Sequence, residues 1–149
     1  MKIGELAKLA DCLVETVRYY EREGLLPAPA RSEGNYRVYG QTHVDRLVFI
    51  RNCRTLDMTL EEIRQLLALR DRPEDSCVEV NALVDEHIRH VDARIKSLLA
   101  LQKQLTDLRH QCAKSQAAAA CGILQQLNTT GGVAPLSDEP SHVGKSHVH

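Results

Sequence analysis

The chain has 149 residues, 43% of them hydrophobic but only 3% aromatic, with no Trp; that allows one or two small domains packed by aliphatic helices rather than a β-sandwich. No run approaches the roughly 20 apolar residues needed to span a bilayer, and the charged N-terminus lacks the apolar core of a secretory signal, so the expected location is the cytoplasm. A net charge of −1 makes no argument for a polyanionic partner, and residues 1–56 hold nine Lys/Arg against seven Asp/Glu, so any case for DNA must come from pattern.

Ile3, Leu6, Ala7 and Ala10 fall at helical spacing and predict a first helix over Ile3–Ala10. After a break at Asp11-Cys12, a second helix runs from about Leu13 to Glu23 and stops at Gly24. Two short helices joined by a tight turn form a helix-turn-helix signature, the second being the candidate recognition helix. Pro27, Pro29 and Gly34-Asn35 then interrupt helix, and Tyr36-Arg37-Val38-Tyr39 is a short β-prone run, the expected small wing. Two amphipathic helices follow, Thr42–Leu56 and Thr59–Arg70, the latter opened by a Thr59/Glu62 capping box. A break over 71–76 closes a head of residues 1–75.

A long helix is expected over 76–112. Val84, Val91, Leu98, Leu105 and Cys112 recur every seven residues, with Ile88, Ile95, Leu101 and Leu108 in the intervening turns. At about 50 Å such a helix cannot bury its stripe against a small head, which implies pairing with a second copy. Residues 113–128 read as a small-residue loop and a last short apolar turn, and 129–149 as a mobile His-containing tail. The fold class is therefore mainly α: a winged helix-turn-helix head followed by a long dimerisation helix.

Arg18 and Arg22 lie one turn apart on the second helix beside Thr16, Tyr19 and Tyr20, while Arg31, Tyr36, Arg37 and Tyr39 belong to the wing. These are the donor types that phosphate binding requires, carried on a helix and wing able to straddle a groove. The strings IGELAK, ETVRYYEREGLLP, RSEGNYRVYG and FIRNCRTLDMTLEEIRQLL together resemble the MerR family of bacterial regulators over residues 1–125. The resemblance implies a homodimer joined by an antiparallel coiled coil. It also implies binding to an over-long double-stranded promoter spacer, distorted on effector binding so that RNA polymerase engages it.

The five cysteines, without an export signal, point to free thiols, metal ligation or redox chemistry rather than disulfides. In an antiparallel pair, Cys77 at the start of one long helix meets Cys112 and Cys121 at the end of its mate. These match the family's metal-binding positions and suit a thiophilic divalent ion. Within the family, Cys at the position of Cys77 goes with divalent-metal sensors. Zinc sensors usually carry a doubled Cys and a loop His, whereas Ala113 follows Cys112 here. The resemblance is nearest to cadmium- and lead-responsive members, so Cd²⁺ ranks first and Pb²⁺ close behind, ahead of Hg²⁺ and Zn²⁺. His87, His90, His142, His147 and His149 form a possible secondary metal site. Cys12 and Cys53 read as structural thiols of the head.

An enzyme is the first rival class, but the sequence has no Gly-rich phosphate loop, no placed carboxylate pair and no His in a catalytic context. A drug-binding regulator needs a larger C-terminal ligand domain. A thiol-based redox regulator switching through Cys112 and Cys121 is the stronger rival.

Overall fold

The computed structural model describes residues 1–74, 76–112 and 117–135. The chain divides into two compact units, the first Met1–Leu83 and the second beginning at Val84. In the first, α1 (Ile3–Leu9) and α2 (Val14–Arg22) precede a two-stranded wing, β1 (Ala30–Arg31) and β2 (Arg37–Val38), followed by α3 (Gln41–Thr55) and α4 (Leu60–Arg70).

Three of these helices end in the same way. The residue after the C-cap has positive φ at Asp11 (53°), Gly24 (75°) and Asp57 (63°). At each end the following amide reaches back to a carbonyl five residues earlier: Cys12 to Ala7 at 2.9 Å, Leu25 to Tyr20 at 2.9 Å, and Met58 to Cys53 at 3.1 Å. These are Schellman motifs, which satisfy the last carbonyls of a helix while reversing the chain. The first makes the tight turn of the helix-turn-helix, and its residue is Asp, which tolerates the left-handed region better than most side chains. The break expected at Asp11-Cys12 is this turn, and α2 follows it within one residue of the start expected at Leu13. The N-cap is Leu13, whose side chain makes no capping bond.

Leu6, Val17, Leu25, Leu47, Ile50, Ile63 and Leu67 are fully buried and form the centre of the head core. Val80 and Leu83, from the first turns of α5 (Val78–Arg109), pack against it. Polar bonds stitch α3 and α4 to the end of α2: Arg46 donates to the Leu25 carbonyl at 2.7 Å and Arg64 to that of Glu23 at 2.8 Å. The α4 capping box is present, with the Glu62 amide donating to Thr59 Oγ1 at 3.1 Å and the Thr59 amide to Glu62 Oε1 at 2.9 Å. In the wing, Arg31 pairs with Arg37 and Ala30 with Val38 in antiparallel register, and Asn35 takes the turn at φ 63°. The Tyr39 amide donates to the Met1 carbonyl at 2.8 Å, anchoring the wing exit to the start of the chain.

The second unit holds most of α5. Helix α5 starts one residue after Cys77 and ends three residues before Cys112, so both cysteines flank it rather than belong to it. Its stripe residues Val84, Ile88, Ile95, Leu98, Leu101 and Leu105 are exposed on the single chain, and Leu98, Leu101 and Leu105 line one groove with Gln102, Thr106 and Arg109. A short 3₁₀ turn, Ala118–Ala120, leads into α6 (Gly122–Leu127). Residues 129–135, expected to open a mobile tail, instead fold back. Gly131 turns at φ 74°, Gln126 donates to the Gly132 carbonyl at 2.9 Å and Gln104 to that of Ala134 at 2.8 Å. No helix among the described residues is long and apolar enough to cross a membrane.

Gly24→Ala meets no steric obstacle and so should cost only the left-handed backbone penalty, about 1–2 kcal/mol. Thr59→Ala should cost about 1 kcal/mol through the lost cap. Urea denaturation of the full chain checks both; Gly24→Ala unfolding at the wild-type midpoint would refute the turn assignment.

Candidate nucleic-acid interface and metal centre

Helix α2 buries Val17 and Tyr20 and turns Arg18, Tyr19 and Arg22 outward, with Thr16 half-buried. Arg31, Tyr36 and Arg37 of the wing are exposed as well. Arg18 lies 3.5 Å from Glu15, Arg31 donates to the Asn35 carbonyl at 3.1 Å, and the Lys2 ammonium stands 5.9 Å above the Tyr36 ring. Arg18, Arg22 and Arg37 surround an open recess with Glu21 and Ile3. Converging guanidinium groups bind phosphate oxygens through charge-assisted hydrogen bonds.

Two residues expected on this face are placed elsewhere. Tyr20 and Tyr39 are core residues, only 8% and 2% exposed. Tyr20 lies three residues after Val17, on the same buried helix face. Tyr39 packs edge-to-face on His43 with centroids 5.2 Å apart, and its hydroxyl donates to Glu21. Burial pushes both phenols above the ordinary tyrosine range, reinforced at Tyr39 by the Glu21 carboxylate. Glu21 itself carries no local signal in the sequence. It accepts from Arg37 at 3.2 Å as well, a contact across sixteen residues that spacing along one helix does not reveal.

The thiol centre is built where the chain turns back after α5. Cys112 follows the helix end, its carbonyl accepting from Arg109 at 2.8 Å. Cys121 occupies the N-cap of α6. The Cys121 thiol is held below the ordinary range, first by the Leu124 amide, then by the Cys112 side chain, with a smaller contribution from the Ile123 amide. Helix N-termini favour a thiolate in this way. The return is tight: a Cβ on Gly122 would sit 2.5 Å from the Gln111 carbonyl oxygen, closer than any side chain allows. Glycine at 122 is therefore a condition for this close return, and no sequence pattern marks it as one.

Cys77 belongs to the first unit. It is exposed and lies on an apolar recess of about 230 Å³ formed with Phe49, Leu66, Leu69 and Val80 among others. Thiolates bind soft divalent cations, so Cys112 and Cys121, the latter with its thiol held below the ordinary range, carry donor chemistry suited to such an ion. Cys12 and Cys53 lie in the head, their thiols pushed up chiefly by burial. Of the secondary candidates, His87 and His90 share α5 with ring centroids 6.4 Å apart, His90 lying 3.4 Å from Glu86. His142, His147 and His149 lie outside the described residues.

Two outcomes are expected of this geometry. In the reduced, metal-free protein, iodoacetamide labelling followed by peptide mapping should show Cys121 reacting at lower pH than Cys12 and Cys53. The signs follow from the pKa directions: the thiolate forms below the ordinary thiol range at Cys121 and above it at the other two. Labelling of all three with one pH midpoint would count against the α6 N-cap. Gly122→Ala should weaken thiophilic-ion binding, read by competition with a chelator, while leaving every cysteine in place.

Comparison with known proteins identifies the family. The description "MerR HTH family regulatory protein" matches residues 1–69 and "MerR, DNA binding" matches residues 44–108. A curated relative, the HTH-type transcriptional regulator ZntR homolog of Haemophilus influenzae, is 48% identical over 111 residues, covering 74% of this chain and 82% of that protein. The crystal structure of the transcription regulator PbrR691 from Ralstonia metallidurans CH34 in complex with lead(II) is 62% identical, with a TM-score of 0.79, covering 85% of this chain and 98% of that one. That of MerR from Bacillus megaterium MB1 in complex with mercury(II) is 35% identical, with a TM-score of 0.70, covering 87% and 100%. These relatives are regulators rather than enzymes, and the chain belongs to the MerR family of helix-turn-helix transcription regulators, similar over most of its length to its metal-responsive members.

Proposed function

We propose that the chain binds promoter DNA as a homodimer and activates transcription by distorting that DNA when a thiophilic divalent ion is held by Cys77 of one protomer and Cys112 and Cys121 of the other. The observation that carries this reading is the close return of the chain beside the end of α5, where Gly122 packs on the Gln111 carbonyl and the Cys121 thiol is lowered in part by Cys112; one further soft donor completes such a site. The exposed stripe of α5 supports the pairing, since a second copy laid antiparallel covers it and brings each Cys77 beside the partner's thiol pair. An ion at a junction between protomers acts on dimer geometry, and through it on the two recognition helices.

Cd²⁺ and Pb²⁺ are the proposed effectors, ahead of Hg²⁺ and Zn²⁺. The lead complex of the 62% identical regulator supports Pb²⁺, and the mercury complex of the more distant one supports a thiophilic effector in general. Thr16, Arg18, Tyr19, Arg22, Arg31, Tyr36 and Arg37 are the proposed DNA contacts, and RNA polymerase is the proposed partner at the promoter. A second reading uses the same two residues: oxidation of Cys112 and Cys121 to a disulfide, with an oxidant such as a peroxide taking the two electrons, would make the chain a redox regulator.

Absorption titration of the reduced, metal-free dimer with Cd²⁺, Pb²⁺, Hg²⁺ and Zn²⁺ separates the readings. Thiolate-to-metal bands should saturate at one ion per site and be strongly diminished in Cys77→Ser. No band with any ion, together with a Cys112–Cys121 disulfide on non-reducing peptide mapping after peroxide, would replace the metal reading by the redox one.

A further inference from the structure

One carboxylate joins the recognition helix to the wing. Glu21, on the last turn of α2, has a side chain only 14% exposed. It accepts from the Tyr39 hydroxyl and from the Arg37 guanidinium at 3.2 Å, and both donors come from β2 and the residue that follows it. The same carboxylate lines the recess shared by Arg18, Arg22 and Arg37, one negative charge among three positive ones. Tyr39 is otherwise fixed by its backbone pairing with Met1 and by its buried ring, so Glu21 is held against a rigid neighbour.

We propose that Glu21 is a positioning and specificity-determining residue for DNA: it fixes the wing against α2 and holds the charge of Arg37 back from indiscriminate phosphate binding. The inference rests on the reading of this face as the DNA-binding one. Phosphate contacts supply affinity without sequence information, whereas base reading depends on the register of the recognition helix. A guanidinium already paired with a carboxylate gains less from a phosphate, so the pair lowers non-specific affinity. The Tyr39 bond meanwhile holds the helix and wing at one spacing, which favours sites that match it.

The test uses the full-length protein and two duplexes: one selected by the wild type from a random-sequence pool, and a scrambled duplex of the same composition. Binding is measured by fluorescence anisotropy over a salt series. Glu21→Gln keeps the shape of the side chain and removes its charge. It should tighten binding to the scrambled duplex, steepen the log–log salt slope by roughly 0.9, the value for one added phosphate contact, and lower the selected-to-scrambled affinity ratio. In an Arg37→Ala background the same substitution should leave the slope unchanged. Tyr39→Phe, which leaves the ion pair intact, should lower the ratio without altering the slope, and it serves as the test if Glu21→Gln fails to fold. An unchanged slope in Glu21→Gln, a slope change that persists without Arg37, or an unchanged ratio in Tyr39→Phe would each overturn the proposal. A wild-type protein that selects no duplex and binds neither would overturn the DNA reading itself.

Discussion

A helix of 32 residues with an apolar stripe along its length cannot cover that stripe by folding on itself. An isolated helix gains little from propensity alone, and leaving a row of Val, Ile and Leu in water forfeits the burial that makes long helices stable. This constraint organises the reading of the whole chain. It asks for a second copy, the second copy makes the helix-turn-helix a repeated element, and a repeated element suits DNA, whose half-sites recur at fixed spacing. It also gives meaning to cysteines at the two edges of α5, because antiparallel helices bring opposite ends together.

The head solves a different problem: packing short helices on one another with few residues between them. Its solution is the repeated Schellman ending at Asp11, Gly24 and Asp57, each of which closes a helix and reverses the chain within two or three residues. Side chains on α3 and α4 then bond to carbonyls near the end of α2, so the recognition helix is braced from behind. Its outer face is left to Arg18, Tyr19 and Arg22. Rigidity behind and charge in front is the arrangement expected of an element that must present donors at fixed spacing.

Much of this was legible in one dimension. The heptad stripe of α5, the Thr59/Glu62 box and the stop at Gly24 are local patterns whose physics needs only neighbouring residues. The order of helix, helix, wing, helix, helix followed from them. What escaped depends on contacts between distant residues. Asp11 and Asp57 give no signal equal to glycine's, so the turns they make were blurred by a residue or two. Tyr39 reads as a wing donor because nothing nearby announces His43 and Glu21 as its neighbours. Gly122 looks like one more small residue after an alanine run until the Gln111 carbonyl is found against it. Helix α5 also stops at Arg109 because its last turn gives way to a bend that carries Cys112 out of the helical register, although the seven-residue pattern continues to that cysteine.

The burial of Cys12 and Cys53 bears on how cleanly a five-cysteine protein can sense anything. A thiol must lose its proton to ligate an ion or attack an oxidant, and the head pushes both thiols up, Cys53 being buried and Cys12 half-buried. Such thiols are poor ligands and poor nucleophiles, so ligation inside the head, which would distort its packing, is disfavoured. The same desolvation that surrounds two small side chains sets their sulfur chemistry apart from that of Cys121, whose thiol is held below the ordinary range.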